Sequence, residues 1–273
     1  MATYLSGRYI EIKVGTLSFN EFLIFHDLKN NNDALKNYLK WGGLPFIKNL
    51  VKKDDVIFDY LKNILSTIIY KDVIQRYNIR NIDFFENLIK YLAHNTGNLF
   101  TANKISDYLK SQKIDISTKV VLSYLQYLQN AFFVYKLRRI NLTGKNIFTT
   151  NNKYFFEDWG LRNALIGLNN FSVPAVLENV VFIHLLNQGF DVGVGVTPES
   201  EIDFVAQKNG EILYVQVAYL IPNDKVKERE FGRLLLVKDN YPKYVVTMDE
   251  YPVGSYKGVK HINLRDFLCL EFN

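Results

Sequence analysis

The sequence predicts a mixed fold in which a helical N-terminal and middle part precedes an α/β unit. Between residues 54 and 131, apolar residues recur at helical spacing in four successive segments. From residue 173 onward the pattern changes to helix, three strands, helix and strand, the order of an α/β unit. We therefore divide the chain into segments 1–50, 51–170 and 171–273.

The bulk composition indicates a folded protein. Of the 273 residues, 48% are hydrophobic and 15% aromatic, enough to build substantial cores. Cys269 is the single cysteine, so no intrachain disulfide can form and a reducing compartment is favoured. The sequence has no run of 18 apolar residues and no signal-peptide pattern at its start. We expect a soluble, cytoplasmic protein with no membrane partner.

Charge is distributed unevenly between the two parts of the chain. Residues 1–174 hold 23 Lys and Arg against 14 Asp and Glu, whereas residues 175–273 hold 10 against 14. The basic part is therefore the better candidate for contact with a polyanion such as DNA.

The N-terminal segment begins with a predicted strand, YIEIKV at 9–14, that has no upstream partner. A helix is predicted over 17–28, with Ser18 as N-cap and Glu21 completing a capping box. A second helix ends at Gly42-Gly43. One strand and two helices make an incomplete domain.

The middle segment has the order of a winged helix-turn-helix. After a helix over 54–80, three further helices over 82–97, 101–114 and 117–131 precede two strands. In that arrangement the third of these helices is the recognition helix and the two strands form the wing. The candidate nucleic-acid-binding residues are Lys119 on the helix and Lys136, Arg138, Arg139 and Lys145 on the wing. The apolar character of the helix leaves a protein-interaction module as the alternative.

The final segment contains EIDFVAQKNGEILYVQVAYL, residues 201–220, which predicts two strands joined by a tight turn. Helix, three strands, helix and strand is the order of a restriction-endonuclease-like core. In such a core, carboxylates hold Mg²⁺ and a Lys two residues after the last acid assists phosphodiester cleavage. The matching positions here are Glu178, Asp203 and Gln216, with Ala218 where the Lys would stand.

This pattern predicts a degenerate nuclease site with weak metal ligation by Glu178 and Asp203. The Gln216 side chain could lend Mg²⁺ a neutral oxygen, and an amine could come from Lys208 or Lys238. The structural alternative is that the two acids only hydrogen-bond in a polar groove. The sequence contains no GxxxxGK[ST] phosphate loop, and its four histidines lack metal-ligand spacing.

Six stretches together resemble the C-terminal two thirds of prokaryotic AAA+/STAND-like P-loop ATPases. In these proteins an ATPase core precedes an uncharacterised helical region and a restriction-endonuclease-like (PD-(D/E)XK) tail. The stretches are ATYLSGRYIEIKVGTLSFNEFL (2–23), YLKWGGLP (38–45), YFFEDWGLRNAL (154–165), VLENVVFIHLL (176–186), EIDFVAQKNGEILYVQVAYL (201–220) and REFGRLLLVKDNYPKYVVTMDE (229–250).

The resemblance implies that residues 1–50 are the remnant of an ATPase core or lid whose P-loop is absent from this chain. Arg8 would then contribute to nucleotide sensing in a complete protein, and ATP would bind only there. The Gln-x-Ala signature resembles the usual state of the tail in this group.

The sequence thus predicts a fragment of an AAA+-type ATPase without catalytic activity of its own. Its winged-helix-like and nuclease-like modules would bind nucleic acid or a protein partner. Two alternatives stay open: a Mg²⁺-dependent DNA endonuclease that uses the three site residues, and a protein-interaction or regulatory module with no nucleic acid in its function.

Overall fold

The first half of the chain is helical, and polar side chains cap several of its helices. The computed structural model describes residues 12–111, 116–142, 151–168, 172–252 and 254–272. The helices in this half are α1 (Phe19–His26), α2 (Asn32–Trp41), α3 (Asp54–Thr67), α4 (Ile82–His94), α5 (Ala102–Ser111) and α6 (Thr118–Asn130). A side-chain oxygen accepts a first-turn N–H at Ser18, Asn31, Asn81 and Ser117. The predicted capping box between Ser18 and Glu21 is present.

The helix predicted over 54–80 has an irregular second half. The α-helical turns of α3 pass directly into a π-helical stretch, Ile68–Gln75. The wider winding keeps Ile69 and Val73 inside the core, so the apolar stripe stays continuous through the change of geometry.

The described strands form one eight-stranded mixed sheet. They are β1 (Val134–Asn141), β2 (Lys153–Phe156), β3 (Asp191–Val196), β4 (Glu201–Lys208), β5 (Glu211–Val217), β6 (Lys243–Thr247), β7 (Ser255–Tyr256) and β8 (Val259–Asn263). Their order across the sheet is β2-β1-β3-β4-β5-β6-β8-β7. Parallel pairs join β1 to β3, β5 to β6 and β6 to β8, and the other neighbours are antiparallel.

The two strands predicted as a wing extend this sheet. Strand β2 pairs antiparallel with β1, and β1 then pairs in parallel with β3, with Arg138 opposite Gly193. A side chain on residue 193 would lie 2.7 Å from the Ile140 Cδ1 atom, so glycine allows β1 to approach. The hairpin therefore joins the helical part to the α/β part through backbone hydrogen bonds, whereas the division into three domains stays a prediction.

Helices cover both faces of the sheet. The remaining helices are α7 (Trp159–Ile166), α8 (Val173–Asn187), α9 (Asp224–Leu235) and α10 (Leu264–Phe267). Apolar residues of α8 belong to the main core, which also contains Phe155 and Phe204. A second, smaller core lies under α9, where Phe231 and Leu234 pack against the other face of the sheet.

Helix α7, which the sequence analysis did not predict, connects the N-terminal helices to the sheet. Asp158 caps α7 at Leu161 and also accepts the Gly43 N–H at 2.7 Å. The Trp159 indole N–H donates to the Tyr38 carbonyl oxygen at 2.7 Å. Two of the stretches that carry the family resemblance, 38–45 and 154–165, are therefore in direct contact.

The predicted first strand is not supported in the part of it that the structure describes. Residues 12–14 form no strand, and Ile12 and Val14 are exposed. The rest of that prediction, together with Arg8 and Lys145, lies outside the described residues. Within the described ranges, no helix is long and apolar enough to cross a membrane.

Candidate functional site at the helix α8 and strand β4 junction

The side chains of the two acids predicted from the sequence are directed toward the same region, between α8 and β4. Glu178 lies in the second turn of α8, and Asp203 lies near the start of β4. Phe204 pairs with Val215 across the hairpin, so Asp203 is placed beside Gln216 one position further along. Glu178, Asp203 and Gln216 thus come from one helix and two neighbouring strands of the structure.

An amine lies between the two acids. The Lys153 Nζ atom is 3.3 Å from the Asp203 Oδ1 atom and 3.5 Å from the Glu178 Oε2 atom. Lys153 and Asp203 side chains are each 8% exposed, so water screens this pair weakly. The sequence has Ala218 where the lysine of a nuclease motif would stand, and the structure places the Lys153 amine beside the acids instead.

The amine comes from an unexpected element. Lys153 is the first residue of β2, whose four residues are all buried. The alternative donors suggested by the sequence have other places: Lys208 donates to the Phe272 carbonyl oxygen at 3.0 Å, and Lys238 is exposed after α9. Ala218 lies just beyond β5, and its N–H donates to the Val246 carbonyl oxygen.

The Gln216 side chain is used as a structural link. Its Oε1 atom accepts the Asp203 N–H at 3.3 Å, and its Nε2 atom donates to the Glu230 Oε2 atom at 3.0 Å. The residue is 1% exposed. The hypothesis that Gln216 lends its oxygen to Mg²⁺ does not match this geometry, because that oxygen already accepts a hydrogen bond inside the sheet.

A second charged group lies on the other side of Gln216. Glu230 of α9 is 3% exposed and accepts hydrogen bonds from the guanidinium groups of Arg229 and Arg233. A chain of polar contacts thus runs from Glu178 through Lys153 and Asp203 to Gln216 and Glu230. We call these five residues the polar cluster.

The polar cluster opens on a groove of about 490 Å³. Three cationic side chains and three acidic ones line it with one serine: Lys153, Arg229, Arg233, Glu199, Glu201, Asp203 and Ser200. Because the charges of both signs are close together, the groove suits a ligand that carries hydrogen-bond donors as well as a negative charge.

Burial and neighbouring charges shift the pKa values of Glu178 and Lys153. Burial raises the pKa of Glu178, the Asp203 carboxylate raises it further, and Lys153 opposes both only in part. Burial lowers the pKa of Lys153, but the neighbouring carboxylates outweigh it and the net pKa is raised. Lys153 is therefore charged at neutral pH, whereas burial and the Asp203 charge raise the pKa of Glu178 to about 8 and keep this acid mainly protonated there. The positive charge of Lys153 then faces the negative charge of Asp203.

The described residues contain no group of three His, Cys, Asp or Glu side chains arranged to hold a metal ion. Glu178 and Asp203 are two oxygen ligands, and a divalent cation would have to displace Lys153 to reach both. The donor set as it stands fits Mg²⁺ poorly.

A stretch of the chain covering more than half its length, residues 32–172, matches the family profile described as Domain of unknown function (DUF8612). The chain belongs to the DUF8612 family. An uncharacterized protein of Haemophilus influenzae is 38% identical over 273 residues, which cover 98% of this chain and 67% of that protein. The uncharacterized protein MJ1544 of Methanocaldococcus jannaschii is 28% identical over 256 residues, 84% of this chain and 54% of that protein.

The chain therefore spans about two thirds and about half of the lengths of these relatives. Among solved structures, the crystal structure of protein VC1899 from Vibrio cholerae aligns with 97% of this chain and 62% of that chain. The sequence identity is 12% and the TM-score 0.24, and a score that low supports no conclusion about this protein.

The DUF8612 match contains only one member of the polar cluster. Lys153 lies inside residues 32–172, whereas Glu178, Asp203 and Gln216 follow them. The cluster thus joins the DUF8612 stretch to the α/β unit behind it. One signal in the sequence points to Lys153: it opens the run KYFF, and a lysine in a strand buried along its whole length requires acids nearby.

The predicted nucleic-acid-binding residues of the DUF8612 stretch fall into two groups. Lys119 on α6 and Lys136 on β1 are exposed. Arg138 forms an ion pair with Asp191, and Arg139 forms one with Glu201. The two arginines therefore help to hold β1 against the α/β unit. Arg139 is largely buried, whereas the Arg138 side chain is 54% exposed, so Lys119, Lys136 and Arg138 are the accessible cations among the four described candidates.

Proposed function

We propose that this DUF8612 protein binds nucleic acid through a winged-helix-like surface and a nuclease-like fold that does not cleave its ligand. One observation carries the proposal: the Lys153 ammonium group lies where two carboxylates would otherwise share a metal ion. With that charge already balanced, and with Gln216 hydrogen-bonded inside the sheet, the polar cluster can shape a binding groove without activating water.

The exposed face of α6 supports contact with nucleic acid. Three helices, α4 to α6, are followed by the β1–β2 hairpin, the element order of a winged helix. Lys119 and Gln126 are exposed on α6, and Lys136 is exposed on the hairpin. These side chains can contact phosphates and base edges from one helix and one strand that follow each other in the chain.

Fluorescence anisotropy with a labelled DNA duplex at several salt concentrations tests this proposal. We expect binding whose affinity falls linearly with salt on a double-logarithmic plot. Replacing Lys119 and Lys136 together by Glu should weaken binding and reduce the slope by about 2, since each phosphate contact contributes about 0.9. The matched control replaces exposed Lys225 and Lys238 by Glu and should leave the slope unchanged.

Absence of DNA binding by the wild-type protein at low salt would overturn the proposal and favour a protein-interaction module. Equal losses in the two double variants would mean that net charge, rather than the α6 and β1 surface, governs the interaction.

A second candidate, a metal-dependent phosphodiesterase, is favoured by the same lysine. The sequence has Ala218 where a nuclease motif would have its lysine, but Lys153 places an amine beside the two acids. Glu178, Asp203 and Lys153 therefore form a set of two acids and one lysine. In such an enzyme Lys153 would turn toward the phosphate once a metal ion bound the acids. Mg²⁺- or Mn²⁺-dependent cleavage of supercoiled plasmid, lost in both Asp203→Asn and Lys153→Met, would establish this candidate against the first.

We also propose that these modules belong to a longer AAA+-type ATPase. The resemblance of the six sequence stretches supports this, and both curated relatives are longer than the aligned region. Because the chain contains no phosphate loop, we expect it to hydrolyse no ATP. ATP turnover that survives further purification of this chain would contradict that expectation.

A further inference from the structure

A second cavity lies beside the polar cluster, at the N-terminal end of α8. Its volume is about 250 Å³. The residues that line it come from the end of α4 and the loop after it, from α7 and from the start of α8, and they include Arg162, Pro174, Ala175 and Glu178.

Arg162 is the unusual member of this lining. The residue is 2% exposed, its Nε atom donates to the Ala93 carbonyl oxygen and its Nη1 atom donates to the Asn163 Oδ1 atom, both at 3.1 Å. In the described part of the chain, its Nη2 atom donates to no protein group, and no carboxylate pairs with the guanidinium. Burial alone lowers the pKa of Arg162, to about 10, with no acid opposing it.

An unpaired buried cation is costly. Burying a charge without a counter-charge is unfavourable, and proteins normally compensate it with a carboxylate or a bound anion. Glu178 also borders the cavity, but its Oε2 atom is directed to Lys153 and it forms no ion pair with Arg162. The wall of the cavity therefore carries the Arg162 guanidinium, which has no ion-pair partner among the described residues, and one acid, Glu178, whose Oε2 atom contacts Lys153.

The beginning of α8 adds to the same field. The helix has 15 residues, and Pro174 and Ala175 of its first turn lie on the cavity wall. Pro174 has no N–H group, so the first-turn donor on this wall is the Ala175 N–H, which has no partner within the helix. The positive end of a helix dipole favours anions, and N–H groups there bind phosphate and sulfate.

We propose that this cavity binds a phosphate group, held by the Arg162 guanidinium and by the first turn of α8. A cavity of about 250 Å³ is small for a drug-sized ligand, which typically needs about 300–1,000 Å³, but it accommodates one tetrahedral oxyanion with a small substituent. The site does not depend on the proposed function, because Lys119 and Lys136 form no part of its wall. The phosphate belongs either to a free small anion or to a nucleic-acid strand.

The test measures binding of inorganic phosphate to the purified chain by calorimetry and by the shift in melting temperature. We expect saturable binding of phosphate, and no such effect from sodium chloride at the same ionic strength. Arg162→Met should weaken phosphate binding by about tenfold or more, the equivalent of one lost charged hydrogen bond. Arg80→Met, which removes an exposed arginine elsewhere, is the matched control and should bind phosphate as the wild type does.

A second variant keeps the test decisive if Arg162→Met does not fold. Ala175→Asp places a carboxylate in the third position of α8, where an acid stabilises a helix, and it fills the site with negative charge. This variant should fold and lose phosphate binding. No saturable phosphate effect in the wild type, or unchanged phosphate binding in Ala175→Asp, would overturn the proposal.

An oligonucleotide arm separates the two sources of the phosphate group. If Ala175→Asp weakens binding of a short single-stranded oligonucleotide as well, the site holds a phosphate of the strand. If the variant loses inorganic phosphate but keeps the oligonucleotide, the site takes a free small anion.

Discussion

Lys153 is the cation that contacts both Glu178 and Asp203. Its removal should therefore change both the stability of the protein and its affinity for metal ions. In Lys153→Met, the acids face each other in a buried place, and breaking a buried ion pair in this way costs about 3–5 kcal/mol. We expect urea denaturation to show a loss of that size. Two free carboxylates should then bind a divalent cation, so that Mn²⁺ raises the melting temperature of the variant and not that of the wild type.

The control for this prediction adds Asp203→Asn to Lys153→Met. The double variant should regain part of the lost stability and lose the response to Mn²⁺. An unchanged stability in Lys153→Met would mean that the three groups are hydrated and that the cluster is not a buried ion-pair system.

His184 gives a prediction about pH. It is 3% exposed, and within the described residues its ring nitrogens have no hydrogen-bond partner. Burial lowers the pKa of His184 from 6.5 to about 4. The unfolded chain therefore binds a proton more readily, and the stability that neutral His184 allows above pH 6.5 is lost as the pH falls toward 4.

We expect this residue to account for about 3 kcal/mol of the stability lost between pH 6.5 and pH 4, at about 1.4 kcal/mol per unit of pKa shift. In His184→Leu the free energy of unfolding should fall less steeply over that range in urea titrations. Parallel curves for the two proteins would show that the imidazole is solvated.

At the scale of single elements, β3 depends on its glycines. A Cβ on residue 193 would lie 2.7 Å from the Ile140 Cδ1 atom and 2.9 Å from the Arg138 carbonyl oxygen, so the contact involves backbone as well as a flexible side chain. Gly193→Ala should therefore destabilise the protein by about 1–3 kcal/mol, the usual cost of overpacking. Thermal or urea unfolding measures the change.

Gly232 in α9 is the matched control. A Cβ there meets no atom within 4 Å, and the backbone is helical, so Gly232→Ala should stabilise the protein by about 0.5–1 kcal/mol. Equal effects of the two substitutions would contradict the close approach of β1 to β3.

The elements that the sequence predicted correctly are those with strong local signals. Ser18 and Glu21 mark the start of α1, and the Asn209-Gly210 turn joins β4 to β5 with positive φ at both residues. Helix α7 was missed because its burial arises from contacts with Tyr38 and Gly43, more than a hundred residues away.

In the candidate site, too, local sequence patterns predicted some residues, whereas contacts between distant parts of the chain place the others. The register of one hairpin places Asp203 beside Gln216, so period-2 alternation was sufficient to bring them together. Lys153 reaches the acids only because β1 pairs in parallel with β3, a contact between strands about 55 residues apart that no local pattern encodes.

At the scale of the whole molecule, one continuous sheet predicts cooperative unfolding. Both tryptophans, Trp41 and Trp159, lie in the helical part, whereas six of the eight described strands follow residue 190. Because the β1–β2 hairpin belongs to the same sheet as those strands, tryptophan fluorescence and far-ultraviolet circular dichroism should follow one transition in urea. Two separate midpoints would mean that the segments on either side of residue 170 unfold independently.

The position of Lys153 also restricts how this protein can be recombined with its relatives. A chimera joined at residue 170 takes the amine from one parent and Glu178 and Asp203 from the other. Such a hybrid keeps a cation beside these two acids only when the parent of the first portion also carries a base at position 153. We therefore expect the residues at positions 153, 178 and 203 to change together among members of the family. Chimeras built from parents that differ at these positions should fold poorly.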